Sequence, residues 1–446
     1  MKKLKYKMSY TKMIFTGFVL LILTGAILLS LPIANRSGVR MPFLDALFTA
    51  TSATCVTGLI VADTYTNWTM FGQLVIISLI QIGGLGFITI GVYVAVVFKR
   101  RIGLKSREAI HESVNTFETA GAVRLTKKII EGTFFIEIIG GLLLSIRFIP
   151  QLGIVKGLYF GFFHAISAFC NAGFDLMGNW EAYSSLTAFE GDILVNLVIM
   201  TLIIVGGVGF IVWDDIMRNK WHFRKYLLHT KIVLMVTGIL VFGGAILFFL
   251  FEHHNLFAGM NAKEQILGAL FSSVTARTAG FNTVDTATLS DAGKMLTVVL
   301  MFIGGSPGST AGGIKTTTLV VMIIVASSMI HQSYGANIFG RKLHEDAIRR
   351  ASTVVTINLL LAVTAIMVIV AIEPLPFLDI VFEVFSAIGT VGMTTGITRE
   401  LSQISKLIII LLMFTGRLGS LSFALVFAQR KIQAPIQYPH EKIIVG

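Results

Sequence analysis

Four short glycine-containing segments are the residues of this chain best suited to binding an ion. The tripeptides are Val56-Thr57-Gly58, Asn171-Ala172-Gly173, Thr278-Ala279-Gly280 and Thr390-Val391-Gly392. Each follows a short, mostly apolar run, and they recur at similar intervals. Glycine permits backbone angles that are closed to other residues and a close approach to a ligand. Because rings of main-chain carbonyl oxygens can replace the hydration shell of a cation, the tripeptides predict a cation site.

The segments that carry the tripeptides are copies of one element. PFLDALFTATSATCVTGL (42–59) and PFLDIVFEVFSAIGTVGM (376–393) align without gaps, and FFHAISAFCNAGF (162–174) and LFSSVTARTAGF (270–281) have a similar ending. A single glycine in an apolar run usually serves helix packing, but four at equivalent positions favour a shared function. The TVG sequence, which is typical of potassium filters, occurs once because each copy supplies one quarter of the site.

The composition indicates an integral membrane protein. Of the 446 residues, 54% are hydrophobic and 13% are charged, and the mean hydropathy is +0.81, which is too apolar for a soluble surface. A helix needs about 20 apolar residues to cross about 30 Å of hydrocarbon. Eight spans are predicted: 13–31, 68–98, 129–149, 193–213, 231–251, 295–303 continued past a break to 330, 353–372 and 407–427.

The spans and the tripeptides together predict the fold. Each copy has the pattern of an outer helix, a re-entrant half-helix that ends at the glycine, an extended segment and an inner helix. We expect an all-α integral membrane protein with four tandem units, eight spans and four re-entrant half-helices around one pseudo-fourfold ion pore. Non-helical backbone at membrane depth must be buried in protein or line a watery cavity. The expected units are 1–112, 113–220, 221–345 and 346–446.

The predicted inner helices contain a second repeated motif. It reads QIGGLGF (81–87), IVGGVGF (204–210), FIGGSPG (302–308) and FTGRLGS (414–420). In the first two copies we expect it to serve close helix packing. The third copy continues as GGSPGSTAGGIKTTT (304–318), whose glycines and proline cannot sustain a helix. This segment predicts a gate below the filter, and the simpler alternative is a kink supported by neighbouring helices.

The predicted gate combines a loop with two cationic side chains. Its residues are Gly304, Gly305, Ser306, Pro307, Gly308, Ser309, Thr310, Ala311, Gly312, Gly313, Lys315 and Arg417. Lys315 would put a cation near the ion path. Arg417 is expected to latch the loop through carbonyls and hydroxyls, and the alternative is an ion pair with Glu137. Arg277 is expected to brace the filter from behind, because a cation that faced the path would repel the permeant ion.

The charge distribution predicts the orientation. Residues 1–12 contain five lysines, and further basic residues are concentrated in 99–128, 214–231 and 331–352. Because basic loops stay on the cytoplasmic side, both termini are predicted to be cytoplasmic, and the first helix to be retained. The net charge of +12 reflects this bias, and no nucleic-acid partner is expected. Cys55 and Cys170 are expected to be free thiols.

With the motifs VTGL, NAGF, TAGF and TVGM and the loop GGSPGSTAGGIK, the chain resembles the Trk/Ktr/HKT superfamily of potassium transporters. The resemblance covers nearly the whole chain and is closest to the bacterial Ktr-type membrane subunits, KtrB and KtrD. It implies that the four tripeptide glycines confer potassium selectivity, whereas a serine in the first filter accompanies sodium transport. It also implies that 304–313 is the intramembrane gate and that Arg417 contacts it.

The resemblance further implies a location and partners. Ktr-type subunits form homodimers in the bacterial cell membrane, with one pore per protomer, on a cytoplasmic ring of nucleotide-binding regulatory subunits, KtrA or KtrC. No cofactor is expected in this chain, because GGLGF and GGVGF lie inside apolar helices and not in a βαβ unit. K⁺ is the implied transported ion, and Na⁺ is left open as a stimulating ion. The regulatory subunit would dock on 99–128, 214–230, 331–350 and the tail 430–446, and the tail's alternative role is the dimer interface.

Two other functions are compatible with such an apolar chain. A carrier with alternating access would couple potassium flux to Na⁺ or H⁺, but carriers often combine two inverted halves, whereas four parallel units favour a channel-like pore. A membrane-embedded enzyme would need a nucleophile with a base, or a metal cluster. We identify no catalytic residues, and the isolated His164, His253 and His254 are expected to be structural.

Overall fold

The computed structural model describes residues 10–86, 89–91, 122–220, 222–333, 335–427 and 441. Residues 1–9, most of the expected docking segment 99–128 and nearly all of the tail 430–446 lie outside the described residues. Within them, a long helix followed by two helices of 12–16 residues recurs four times. We call these the outer, short and inner helices of the first to the fourth copy.

Four long apolar helices can cross a membrane. The outer helices are Tyr10–Ser30, Ala122–Leu152, Leu228–Glu252 and Glu345–Ile372, and all four have the length and hydropathy of a span. Each also exposes large apolar side chains: Leu20, Phe135, Phe242 and Leu360 are 59–65% exposed. Such a surface is unfavourable in water, so these helices are suited to contact with hydrocarbon.

Four short helices precede the tripeptides. They are Phe43–Thr54, Ile154–Phe169, Ala262–Thr275 and Phe377–Gly389. Pro42 and Pro376 precede the first and the last, at a position where the helix needs no main-chain N–H from the residue. Phe48, Phe163 and Phe382, at the same position relative to the glycine of their copies, are at most 2% exposed. The short helices are therefore enclosed by protein, and they are too short to cross a bilayer.

The inner helices are shorter than predicted. They are Met70–Leu85, Ile193–Val208, Asp291–Phe302 and Gln403–Leu418. Three of them end at Gly86, Gly209 and Gly419, whose φ angles of 82°, 102° and 84° interrupt a helix and suit glycine alone. The continuous helices predicted in these copies are therefore wrong, because the last glycine of each of these three motifs redirects the chain. The predicted ranges that this corrects are 68–98, 193–213 and 407–427.

We call Gly86, Gly209 and Gly419, with the residues beside them, the junctions of the first, second and fourth copies. Further helices, which we call the lower helices, follow the inner helices. The lower helices are Phe210–Asn219, Thr316–Ile330 and Ser420–Phe427, and residues 89–91 are helical after the first junction. The lower helix of the second copy, Phe210–Asn219, which we call the second lower helix, is bent by 94° from its inner helix. A two-stranded antiparallel ribbon, Asn337–Ile338 with Arg341–Lys342, is a small departure from the all-α prediction.

Ion pairs join neighbouring copies at the start of two short helices. Lys294 Nζ lies 2.8 Å from Asp379 Oδ1, and Lys406 Nζ lies 2.8 Å from Asp45 Oδ1. Each pair connects the beginning of one inner helix to the first turn of the next copy's short helix, where the helix dipole favours a carboxylate. The two aspartates belong to the PFLD motifs, so this motif serves the contact between copies.

Candidate ion pathway

The four tripeptides meet in a closed ring. A β-carbon placed on the glycine of each copy would lie within 2.7 Å of the carbonyl oxygen that precedes the glycine of the next copy. The contacts are Gly58 with Ala172 O, Gly173 with Ala279 O, Gly280 with Val391 O and Gly392 with Thr57 O. Their order runs from the first copy to the fourth and back to the first. The main-chain oxygens of all four copies therefore lie close to one axis.

The ring requires glycine on two independent grounds. The four glycines have φ angles between 69° and 96°, and none of them has space for a β-carbon. The residues two positions earlier are also left-handed, with φ between 50° and 79°; they are Val56, Asn171, Thr278 and Thr390. Side chains adopt this conformation only with strain, which the surrounding structure must offset.

Hydrogen bonds to the short helices hold the tripeptides in place. Ser52 Oγ accepts from Gly58 N at 3.1 Å, and Ser386 Oγ accepts from Gly392 N at 3.0 Å. In all four copies the residue before the glycine donates its main-chain N–H to the short helix, at 2.8–2.9 Å. These bonds attach each tripeptide to the short helix of its own copy. Ser167 Oγ, at the equivalent place in the second copy, has no partner among the described residues.

The carboxyl ends of the short helices adjoin the ring, because the tripeptides follow within a few residues. The last carbonyls of a helix carry a partial negative charge, so four such ends together favour a cation. In the first two copies the residue that follows the short helix is a buried free cysteine, Cys55 or Cys170. The prediction of free thiols is confirmed.

Two buried polar side chains brace the segments that follow the tripeptides. His164 Nε2 accepts from Leu176 N at 3.1 Å, and its Nδ1–H donates to Phe160 O at 2.7 Å, which is the structural role expected for this residue. Glu383 accepts from the hydroxyls of Thr394 (2.7 Å) and Thr398 (2.5 Å). Sequence reasoning missed Glu383, because a lone acid in an apolar helix carries no motif that would reveal its partners.

His253 and His254 lie together at the end of the third outer helix, with ring centroids 4.8 Å apart.

Residues 303–315 form a compact loop in the third inner helix. Its ends are closed by the main-chain bonds Gly304 N to Ile314 O (2.8 Å) and Thr316 N to Gly305 O (3.1 Å). Lys315 Nζ donates to Ala311 O at 2.8 Å and to Gly312 O at 3.2 Å. The lysine predicted to stand near the ion path thus donates hydrogen bonds to carbonyl oxygens of its own loop.

The loop lies directly against the ring. A β-carbon on Gly312 would overlap Thr390 Oγ1, and one on Gly313 would lie 3.1 Å from Gly389 O. The structure therefore brings Gly312, one of the predicted gate residues, into contact with the tripeptide of the fourth copy. Only a loop of small residues can approach the ring so closely.

Arg417 reaches the loop, as predicted. Its guanidinium donates to Thr310 O in the loop, to Gly83 O, and to Gly84 O at 2.8 Å. The alternative ion pair is not formed, because Glu137 instead accepts from Gln81 Nε2 at 3.1 Å. Arg417 therefore connects the loop to the carboxyl end of the first inner helix.

Arg277 lies between the second and third copies. It is 8% exposed and lines a very small cavity together with Ile203, Gly207 and Gly305. Its Nε has no hydrogen-bond partner among the described residues. The expectation that Arg277 braces the filter stays a prediction. The same cavity also places Arg277 next to Gly305 at the base of the loop.

A cavity of about 560 Å³ lies on the other side of the loop. Its lining includes residues from all four copies, among them Gly86, Phe210, Pro307 and Gly419. Because Gly312 contacts the ring while Pro307 lines the cavity, the loop separates the two. Ring, loop and cavity together form a candidate ion path, with the loop next to both the ring and the cavity.

Apolar helices that surround a carbonyl ring and a loop-covered cavity have the architecture of a membrane cation transporter. The family model described as TrkH, cation transport protein, matches residues 5–435, and the chain belongs to this family. The resemblance inferred from the motifs is confirmed. Membership also makes the protein a transport protein and not an enzyme.

Individual relatives match over nearly their full length. The chain is 43% identical to the potassium/sodium uptake protein NtpJ of Enterococcus hirae, over 100% of this chain and 99% of the relative. It is 42% identical to the Ktr system potassium uptake protein B of Bacillus subtilis, over 96% and 95%. The crystal structure of the potassium transporter TrkH from Vibrio parahaemolyticus matches with a TM-score of 0.75 at 17% identity, over 96% of this chain and 86% of that one, which supports the shared fold.

Proposed function

We propose that the protein takes up potassium across the bacterial cell membrane through a channel-like pore, with the four tripeptides as its selectivity filter. The observation that carries this proposal is the closed ring of glycine contacts, because it brings main-chain oxygens of all four copies to one axis. The two relatives described above are named as potassium or potassium/sodium uptake proteins. Their names support K⁺ as the transported ion.

The loop 304–313 is the gate in this proposal. It stands between the ring and the cavity, and Arg417 holds it at Thr310 O. Release of this contact, with Lys315 moving as part of the loop, would connect the ring to the cavity. The coordination of K⁺ is assigned to the carbonyl oxygens of the tripeptides.

The wider assembly follows the same proposal. The units 1–112, 113–220, 221–345 and 346–446 each supply one quarter of the pore, with both termini cytoplasmic. A homodimer would bind a ring of nucleotide-binding regulatory subunits. The described part of the proposed docking surface supports this, because Arg218, Arg224, Lys225, Arg341 and Lys342 are all exposed.

Cation flux in liposomes tests the filter. We would compare K⁺ and Na⁺ flux through the purified wild type and Gly58→Ser, where any β-carbon must displace Ala172 O. The K⁺/Na⁺ flux ratio should fall by about tenfold or more, equivalent to about 1.4 kcal/mol of discrimination. Gly38→Ser is the matched control, because Gly38 also has a positive φ but no described atom within 4 Å of its β-carbon position. An unchanged ratio in Gly58→Ser would remove the filter assignment.

A cation-coupled carrier is the second candidate. The sodium in the name of the Enterococcus hirae relative favours it. The liposome assay separates the two candidates, because a carrier would require a Na⁺ or H⁺ gradient and its flux would saturate. A pore would conduct K⁺ down its own gradient alone.

Replacement of the loop tests the gate. Ile303 and Ile314 are paired as neighbours, so 304–313 can be replaced by Gly-Gly without separating the helices on either side. We expect a higher basal K⁺ flux in the absence of any regulatory subunit. Basal flux at the wild-type level would exclude the loop as the gate.

A further inference from the structure

The loop is bound to the second copy by its main chain. Three hydrogen bonds connect it to the second junction: Ser306 N to Gly207 O (3.0 Å), Thr310 N to Gly206 O (3.3 Å) and Phe210 N to Gly308 O (2.8 Å). Among the described residues, the main-chain bonds from the loop to another copy all go to this junction. The first and fourth copies hold the loop through the side chain of Arg417 instead. The second copy is therefore the side that binds the loop through main-chain hydrogen bonds.

A side-chain bond extends this connection toward the filter. Thr310 Oγ1 donates to Phe169 O at 3.1 Å, and Phe169 is the last residue of the second short helix. Thr310 thus bonds the second copy through its N–H and its hydroxyl, and Arg417 through its carbonyl. Thr310 is therefore the loop residue that is bonded both to the second copy and to Arg417 of the fourth copy.

Gly209 has a closer neighbour than the other junction glycines. A β-carbon on Gly209 would lie 2.8 Å from Pro307 O, in the loop. At Gly86 the nearest described atom would be Thr89 Oγ1 at 3.8 Å, and at Gly419 no described atom would lie within 4 Å. All three have similar left-handed backbone angles. Backbone strain is therefore common to the three positions, whereas contact with the loop belongs to Gly209.

We propose that the second junction binds the gate loop in its blocking position, and we call this binding site the seat of the loop. Gly209 and Thr310 are then positioning residues that hold the loop there. This inference rests on the proposed role of the loop as a gate. The second lower helix begins at Phe210, the residue that donates to Gly308 O. A displacement of this helix on the cytoplasmic side is therefore transmitted to the loop through one main-chain bond.

Asp215 anchors the second lower helix in the present state. Its carboxylate accepts from Leu227 N at 2.9 Å and from Asn219 Nδ2 at 2.7 Å. The helix is thus bound to the start of the third outer helix at one end and to the loop at the other. A partner that acts on the exposed residues 222–225 would act next to this anchor.

Alanine substitutions at the three junctions test the seat. We would measure basal K⁺ and Na⁺ flux in liposomes for Gly209→Ala, with Gly86→Ala and Gly419→Ala as controls that share the backbone strain. Gly209→Ala should raise basal K⁺ flux about tenfold above the controls, corresponding to about 1.4 kcal/mol less stability of the closed loop. The K⁺/Na⁺ ratio should stay at the wild-type value, because the ring is untouched. Equal flux in the three variants would overturn the proposal.

A second pair of variants keeps the test decisive if Gly209→Ala does not fold. Thr310→Val keeps the shape of the side chain and removes the hydroxyl that donates to Phe169 O, while Thr310→Ser retains a hydroxyl. Thr310→Val should raise basal flux by several-fold, and Thr310→Ser should restore it toward the wild type. Wild-type flux in Thr310→Val, or equal flux in both variants, contradicts the proposal.

The loop replacement separates failure of the seat from failure of the gate. If Gly-Gly in place of 304–313 leaves basal flux unchanged, the gate itself is wrong and the seat fails with it. If that replacement raises the flux while Gly209→Ala matches its controls and Thr310→Val matches the wild type, the gate stands and the seat is wrong. Each combination of results therefore supports or overturns one of the two statements.

Discussion

The tripeptide ring and the inner-helix junctions use the same four copies in opposite ways. In the ring every copy makes the same contact, glycine against the carbonyl oxygen of the next copy. At the junctions no two roles are the same: the first copy offers carbonyls to Arg417, the second bonds the loop, the third supplies it and the fourth supplies the arginine. Four similar contacts close the ring, whereas the loop is held by different contacts from each neighbouring copy. The similar contacts of the ring suit the proposed selection of an ion, and the differing contacts of the loop suit its proposed role as a gate.

Substitution within the ring should have the largest effect. Gly392→Ala would overlap Thr57 O and force a side chain into a left-handed conformation, and we expect K⁺ flux in liposomes to fall by about a hundredfold or more, equivalent to about 2.7 kcal/mol. Gly38→Ala, outside the ring, should be close to the wild type. Alanine at the other three ring glycines should give comparable losses. One tolerated substitution would break the equivalence of the copies.

Loss of the latch should have the next largest effect, and in the opposite direction. Arg417→Gln removes the guanidinium that donates to Thr310 O and Gly83 O, and hydrogen bonds from a charged group contribute about 1.5–3 kcal/mol each. Basal K⁺ flux should rise about tenfold with an unchanged K⁺/Na⁺ ratio. Arg147→Gln is the control, since this arginine pairs with Asp192, away from the loop. A fall in the K⁺/Na⁺ ratio would assign Arg417 to the ring instead.

The serines behind the ring allow a comparison of how much equivalent side chains in two copies contribute to stability. Ser386→Ala leaves the N–H of Gly392 without its acceptor, and a buried unsatisfied N–H costs about 1–3 kcal/mol. We expect a clear drop in the thermal unfolding midpoint of the detergent-solubilised protein. Ser167→Ala is the matched control, because Ser167 Oγ has no hydrogen-bond partner in the described part of the chain. Equal drops in both variants would mean that the serines act by packing alone.

The ion pairs between copies should have the smallest effect. Asp379→Asn removes the charge that pairs with Lys294, in a site where both side chains are about 15% exposed, so we expect a loss of about 0.5–1 kcal/mol. The shift in unfolding midpoint should shrink as salt is added. Asp45→Asn, which breaks the equivalent pair with Lys406, should match it. A large difference between the two variants would mean that the copies also differ in their contacts at the starts of the short helices, as they do at the junctions.

Much of the candidate path could be predicted from the repeat. The four tripeptides were identified because equivalent positions in four copies leave a common signature, and the loop because proline and glycine cannot continue a helix. The junctions at Gly86, Gly209 and Gly419 were not predicted. A glycine in an apolar run is compatible with a continuing helix, and only the surrounding packing determines its φ. Glu383 was missed for a related reason, since its threonine partners are brought to it by the turn that follows the ring.

The sequence by itself determined the membrane class, the four copies and the residue types at the ring, because hydropathy and repetition are local properties that survive without coordinates. The tertiary structure decided which carbonyl each glycine meets, that Arg417 bonds Thr310 and not Glu137, and that the loop is bonded to the second copy. These are choices among partners far apart in the chain. Local propensity does not distinguish between such partners, and close packing around one axis does.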